Sequence, residues 1–460
     1  MSVATGGQIV IHPLDSGRTA AARFEQIRHL ALPVLLASGA SSHAAARYDI
    51  ITAGPHTVLR TEGRRTVVQF GNGAAPLTVE DKPFDVLARY CPIDVATAAA
   101  DLPFTGGAIG YFGYELLHAA NRIDYADKPA LGMPDMLIGI YDWAIVIDNQ
   151  TQRTVLVCRD VDARRQQELL AMLAAPPTAL PGEFKLIAPF ESNFSKAEYL
   201  KHFRRIIDYI HAGDCYQVNL AQCFTARCTG NSWAAWRHLQ GKVNAPFAAY
   251  LEDGTRAVLS FSPERFLRVH DGEVLTQPIK GTRPRSFEPL HDVANRLDLE
   301  GSDKDRAENL MIVDLLRNDL GRVCATGSVS VENLFETQSF TNVHHLVSTI
   351  KGRLADPRDV FKLMEACFPG GSITGAPKLR SMEIINELET SRRSVYCGVI
   401  AWIDRSGNMD SNIAIRTLVR SGDKMHCWGG GGIVADSVGD EEHQETLDKI
   451  SVFIRNLQQP

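Results

Sequence analysis

The chain predicts an α+β fold with largely antiparallel sheet, on three observations. Strand-like runs are interspersed with long helical segments, a tight hairpin signal stands at Asp271-Gly272, and no regular βαβ alternation runs through the chain. Length and composition agree with a folded chain. With 460 residues, 45% hydrophobic and 22% charged, it can hold two or three average domains or one large unit, and coiled-coil, collagen-like and mostly disordered classes are excluded. A formal charge of −6 gives no global drive toward nucleic acid or an anionic membrane, so an anionic substrate must be met by a local site. The nine cysteines are odd in number and lack a C-x-x-C pair, which argues against a zinc or disulfide framework. The N-terminus does not read as a signal peptide, and no apolar run is long enough to span a membrane. A reduced, cytoplasmic protein is expected.

In chain order, FTGGAIGYFGYEL (Phe104 to Leu116) spaces four glycines among aromatics. That pattern suggests backbone approached closely by rings, and tight turns in a sheet are the plainer reading. LIGIYDWAIVID (Leu137 to Asp148) reads as a buried strand or strand pair, and Val161 to Ala174 as a helix. PPTALPG and IAPFESNF then mark a join, which divides the chain into an N-terminal region 1–175, a linker 176–191 and a second region 192–460. The second region opens on a capping box, Ser195 with Glu198. Tyr199, Leu200, Phe203, Ile206, Ile207 and Ile210 follow on one helical face, and Gly213 stops the helix. CYQVNLAQCF alternates as a strand, and RAVLSFSPERFLRV turns at Asp271-Gly272 into EVLTQPIKGTRPR.

Three constellations could carry chemistry. In the first, Glu308 lies along the apolar stripe of KDRAENLMIVDLLRNDL, one turn after Asp305, and Glu442 and Glu445 lie beside the stripe of the C-terminal helix. Carboxylates there are costly to bury unless paired or metal-bound, and a Mg²⁺ that keeps waters and takes one or two of them suits this supply. The plainer reading of Glu445 is an i,i+4 ion pair with Lys449. The second constellation is Glu264 with Lys280. A three-residue hairpin loop with a glycine bulge puts them on one strand face, and a two-residue loop puts them on opposite faces. Together they read either as an acid beside a nucleophilic lysine or as a cross-strand ion pair.

The third constellation is glycine-rich backbone. FPGGSITGAPK, with Thr374 and Gly375, opens a helix, and CWGGGGIVADS closes a strand; both offer N–H groups to an anion. FPGGSITGAPK is not a nucleotide P-loop, because Ala376-Pro377 stand where Gly-Lys-Ser/Thr is required. With Arg416 on the strand-like NIAIRTLVR, a small dicarboxylate is suggested, against glycine turns and a surface arginine. His344 and His345 could serve as acid, base or hydrogen-bond donor.

The ordered set CYQVNLAQ, SPERFL, PIKGTRPR, AENLMIVDLLRNDLGRV, HHLVS, GGSITGAPK, IAIRT, GGGGIVADS and EEHQETLDK resembles the chorismate-utilising enzymes from about Ser192 to the C-terminus. GGAIGYFGYEL resembles their N-terminal half. The resemblance implies one large unit of two packed sheets with outer helices and interlocked halves. It implies that Glu308 and Glu445 hold Mg²⁺, with Asp305 and Glu442 as nearby, water-mediated partners. Gly281, Thr282, Tyr396, Arg416, Gly430, Gly432 and Lys449 would surround the chorismate carboxylates, and His345 would stand beside the ring. Members that add water carry lysine where this chain has Gln217, which fits the ammonia-using branch. Lys280 then separates two members of that branch. Anthranilate synthases generally read P-I-A-G-T there, whereas P-I-K-G-T is typical of enzymes that form 4-amino-4-deoxychorismate on the way to 4-aminobenzoate and folate. Asp305 departs from the more usual glutamate. No G-x-C-x-G glutaminase turn occurs, so ammonia is expected from solution or from a separate glutamine amidotransferase subunit. An anthranilate synthase component and a non-catalytic chorismate-binding paralogue are the competing readings. LPVLLASG (Leu32 to Gly39) resembles the stretch where anthranilate synthases have an aromatic amino-acid feedback site.

Overall fold

The computed structural model describes residues 7–38, 46–97, 102–118, 120–121, 123–125, 127–176, 182–243, 245–340 and 343–458. Among them, strands assemble into one sheet of 13 and one of 12, with antiparallel pairings. The buried runs alternate between two cores. Ala144 and Val146 face the core shared by the sheets, while Trp143, Ile145 and Ile147 face a second core outside the larger sheet. Helices Ala20–Ile27, Ala163–Ala174, Ser232–Gln240 and Gly439–Gln458 cover that outer core. Rings such as Trp233 and Trp236, stacked at 5.0 Å, contribute about 1.5–3 kcal/mol each by leaving water. Both faces being covered explains why LIGIYDWAIVID reads as a continuous apolar run.

That run is a pair of strands, Met136–Tyr141 and Trp143–Asp148, and they belong to different sheets. The same corner recurs twice. Arg256–Ser262 lies in the larger sheet and Arg265–His270 in the smaller; Met409–Ile413 lies in the smaller and Thr417–Ser421 in the larger. Strands that switch sheets through a bend leave the corner residues where the sheets meet.

The two sequence regions interlock. Val34–Ala37 pairs with Phe247–Asp253, and Gly107–Phe112 pairs with Val399–Asp404. The expected linker is partly woven in, since Phe184–Leu186 and Glu191–Ser192 both pair with Gln217–Gly230. The capped helix is Lys196–His211, with both halves of the Ser195–Glu198 box formed and Gly213 at φ +81° beyond it. Within Phe104 to Leu116, the close neighbours are not rings. A Cβ at Gly107 or Gly110 would collide with the carbonyls of Ile403 or Leu137, so glycine here admits neighbouring backbone.

Candidate active site

Two of the sheet corners deliver the central polar groups. Glu264 stands at one, and Arg416 at the other. Ser262 Oγ donates to the Ile413 carbonyl at 2.6 Å and the Ile413 N–H donates to the Glu264 carbonyl at 3.1 Å, so the two corners are tied together. Arg416 was expected on a strand; instead it sits in the break between Met409–Ile413 and Thr417–Ser421 with φ +48°. The bend turns its guanidinium out of the ladder. It has no ion-pair partner among the described residues, and burial lowers its pKa.

The hairpin at Asp271-Gly272 has His270 opposite Glu273, a two-residue loop with positive φ at both turn positions. On strict alternation this register separates Glu264 from Lys280. They come together because neither belongs to the ladder. The strand that follows Glu264, Arg265–His270, is bulged between Arg265 and Arg268, and Ile279–Pro284 leaves the hairpin to pair with Val343–Arg353. A further register shift between Lys280 and Thr282 falls on Gly281, at φ +69°, where a Cβ would press on Leu299 and Asp305.

Glu264 is 6% exposed, and burial pushes its pKa up to about 7. Opposing that rise are the Ser372 hydroxyl, which donates to Glu264 Oε1 at 2.8 Å, and the charges of Lys280 and Lys449. The carboxyl therefore carries a proton through much of the neutral range. Lys280 Nζ is 3.9 Å from Glu308 Oε2. His345 is buried, with Nδ1 3.0 Å from Thr282 Oγ1, and desolvation lowers its pKa to about 4. Its imidazole is uncharged at neutral pH and can act there through hydrogen bonding. His344 is engaged elsewhere, with Ser339 and Asp292.

The glycine strand Lys424–Ile433 alternates its neighbours. Gly429 and Gly431 face the C-terminal helix, where a Cβ would meet the Thr446 carbonyl or Glu442. Gly430 and Gly432 face Tyr396 and Gln217. Tyr396 stacks on Trp428 at 5.6 Å. Gln217 is 1% exposed, and its side-chain carbonyl oxygen has no hydrogen-bond partner. Thr374 is fully buried and its hydroxyl donates to the Gly370 carbonyl at 2.9 Å, so that hydroxyl shapes its own loop. Gly375, at φ +142°, packs against the Gln217 backbone.

Glu308 from helix Asp303–Gly321 and Glu442 and Glu445 from helix Gly439–Gln458 approach closely enough that, on top of burial, Glu445 raises the pKa of both Glu308 and Glu442 and Glu308 raises that of Glu442. Glu445 makes its expected i,i+4 ion pair with Lys449 at 2.6 Å, and Lys449 also donates to the Gly430 carbonyl at 2.9 Å. Glu442 Oε1 accepts from Ser437 at 2.7 Å, whereas its buried Oε2 has no partner. Asp305 is held by Arg283 at 3.2 Å. Among the described residues no three metal-type side chains converge on one point. An orphaned carboxylate oxygen beside two further carboxylates suits a hard cation that keeps most of its waters.

Ser372, within GGSITGAPK, and the buried pair Glu389–Arg393 join the site without a place among the residues expected from sequence. Their i,i+4 spacing in ETSRR was the available signal. Near Leu32 to Gly39, Leu36, Ala37 and Ser38 line a cavity between the sheets with Ile50, Ala249 and Trp402, while Gly39 lies outside the described residues.

An acid whose pKa is raised by burial with two lysines in electrostatic reach, an unpaired guanidinium and a glycine strand held by one of those lysines are groups able to bind an anion and deliver a proton. The chain belongs to the chorismate binding enzyme family, whose profile matches residues 40–455. It is 44% identical to aminodeoxychorismate synthase component 1 of Escherichia coli (strain K12), over 95% of each chain. It is 34% identical to anthranilate synthase component 1 of Streptomyces coelicolor, over 90% of this chain and 81% of that one. The crystal structure of anthranilate synthase component I from Streptococcus pneumoniae TIGR4 superposes with a TM-score of 0.78 at 30% identity, covering 90% of this chain and 93% of that one.

Proposed function

We propose that this chain aminates chorismate at ring carbon 4, as the names of its 44%-identical relatives imply, releasing 4-amino-4-deoxychorismate for 4-aminobenzoate and folate synthesis. The observation that carries this reading is Lys280 beside a Glu264 whose pKa is pushed up to about 7. Arg416, Lys449 and the N–H groups of the glycine strand bind and orient the carboxylates. The amine of Lys280 attacks ring carbon 2, both ring double bonds shift, from carbons 1–2 to 1–6 and from carbons 5–6 to 4–5, and the bond from carbon 4 to its hydroxyl breaks. Glu264 gives its proton to that hydroxyl, which leaves as water. The proton lost by the attacking amine restores Glu264. Ammonia then attacks carbon 4, both ring double bonds return to their first positions and Lys280 is expelled as the amine, taking up the proton that ammonia gives up, with the enolpyruvyl group retained. Glu308, Glu445 and, through water, Glu442 would hold Mg²⁺, which when bound supplies charge neutralisation at a substrate carboxylate. Asp305, engaged by Arg283, is assigned at most an outer role. His345, uncharged, orients the ring.

Ammonia would come from solution or from a separate glutamine amidotransferase subunit, a reading the "component 1" names support. Nine buried free thiols support a reduced, cytoplasmic setting, and no described helix is long and apolar enough to cross a membrane. The test is product identity. Purified protein with chorismate, ammonium and Mg²⁺ should yield 4-amino-4-deoxychorismate without pyruvate; anthranilate with pyruvate, or no product, would overturn the reading.

A further inference from the structure

Arg393 is 1% exposed and uses its guanidinium on three segments, those of Glu389, Ile373 and Asn219. Nε donates to Glu389 Oε2 at 2.9 Å and Nη2 to Glu389 Oε1 at 2.6 Å, a bidentate pair. Nη1 donates to the Ile373 carbonyl at 2.8 Å, and Nη2 also to the Asn219 carbonyl at 2.8 Å. Glu389 Oε1 in turn accepts the Ala221 N–H at 2.9 Å. The backbone N–H groups of Arg393 and Ser394 donate to buried Glu115 at 2.7 and 2.9 Å, which fixes the segment that begins at Arg393 and leads to Tyr396. Ile373 directly follows Ser372 in the short turn Gly371–Ile373, so holding the Ile373 carbonyl sets the height of the Ser372 hydroxyl. A lysine could keep the charge near Glu389 but could not span both carbonyls and the carboxylate from one planar group.

We propose that Arg393 is a positioning residue, whose grip on the Ile373 carbonyl seats the Ser372 hydroxyl against Glu264 Oε1 and so leaves Oε2 to carry the transferable proton. This rests on the functional reading above for its consequence in turnover, and on geometry alone for the clamp. The groups facing Glu264 are Ser372 from the turn, Lys280 from strand Ile279–Pro284 and Lys449 from the C-terminal helix. Of these only Ser372 is linked to Arg393, through the carbonyl of its neighbour Ile373. Loss of a hydroxyl donor to a carboxylate favours its protonated form, so the pH at which Glu264 titrates must rise when the clamp fails.

The experiment compares wild type, Ser372→Ala, Arg393→Lys and the double variant in ammonium-dependent turnover across neutral pH. In Ser372→Ala and Arg393→Lys alike, the alkaline limb of kcat should move up by roughly one pH unit, and kcat should fall about tenfold with a smaller change in KM for chorismate. The double variant should move the limb no further than Ser372→Ala alone, because one residue acts through the other. The same rise is read without turnover by infrared difference titration of the Glu264 carboxyl, identified as the band that Glu264→Gln removes. If Arg393→Lys does not fold, Glu389→Gln loosens the same grip and should move band and limb in the same direction. A folded Arg393→Lys or Glu389→Gln with both unmoved, or shifts that add in the double variant, would overturn the proposal. A wild type that forms no product while the band still shifts would sink the functional reading and leave the clamp standing.

Discussion

Lys280 Nζ stands 3.9 Å from Glu308 Oε2, with both side chains mostly buried, at 13% and 15% exposed. The group assigned as nucleophile and the group assigned to Mg²⁺ thus share one charge contact. Glu264, on the other side of Lys280 in function, keeps its own partner in Ser372. The site is a chain of neighbours, and substitutions along it should separate nucleophile, metal and acid.

Lys280→Ala should lower formation of 4-amino-4-deoxychorismate at least about a hundredfold, some 3 kcal/mol of transition-state stabilisation. Wild type incubated with chorismate and Mg²⁺ but no ammonia should show a covalent adduct, located at Lys280 by peptide mass spectrometry and absent from the variant. Wild-type rates in Lys280→Ala would reduce the residue to a partner of Glu308.

Glu308→Gln and Glu445→Gln should each weaken Mg²⁺ binding at least about tenfold, read by titration calorimetry on the protein itself. Without Mg²⁺ the Glu308 variant should unfold at a slightly higher temperature, since it relieves repulsion among Glu308, Glu442 and Glu445. Unchanged Mg²⁺ affinity in both variants would remove these residues from the metal assignment.

The sign of the pH dependence follows from Glu264, whose pKa is pushed up to about 7 by burial. In the proposed reaction its acid form gives the proton, so turnover should fall as pH rises through about 7, and Glu264→Gln should lose about 10²–10⁴-fold in rate. Between the ordinary glutamate value and about 7, the folded protein holds a proton that the unfolded chain has released. Folding stability therefore falls with rising pH across that window, by up to about 3 kcal/mol, and levels off above it. Denaturant titrations should show that slope reduced in Glu264→Gln, leaving the part owed to the other buried carboxyls, Glu115, also pushed up to about 7, among them.

Purified protein should use ammonium but not glutamine, and should gain glutamine-dependent turnover when an amidotransferase is added. Glutamine-dependent product from the chain alone would contradict the absence of a G-x-C-x-G turn in these 460 residues.

Gly429→Ala should destabilise the protein by about 1–3 kcal/mol, because the new methyl meets the Thr446 carbonyl, which is backbone and cannot swing aside. The C-terminal helix carrying Glu442 and Glu445 must move, so weaker Mg²⁺ binding should accompany a lower unfolding temperature in the same protein.

Local chemistry was legible wherever one segment decides it. The Ser195–Glu198 capping box and the Gly213 stop need only nearest neighbours and came out as read. The Asp271-Gly272 turn was legible as a turn, but its loop length was not, because both lengths are compatible with Asp-Gly and only the strand pairing selects one. Arg416 looked like a strand residue, since a bend from one sheet into another costs no visible residue pattern in NIAIRTLVR.

The sequence by itself determined the α+β class, the family through its ordered motifs, and the residue types that acid, nucleophile and metal chemistry require. Those are properties of composition and order along the chain. Tertiary structure alone decided that Glu264 meets Lys280 despite an unfavourable hairpin register, that Asp305 belongs to Arg283, and that Arg393 reaches the turn beside Ser372. Each of these depends on bulges, corners and burial, although the residues joined stand only about twenty positions apart in the chain. Burial is also what lifts Glu264 to about 7, and desolvation is a property of the surrounding fold that no single segment carries.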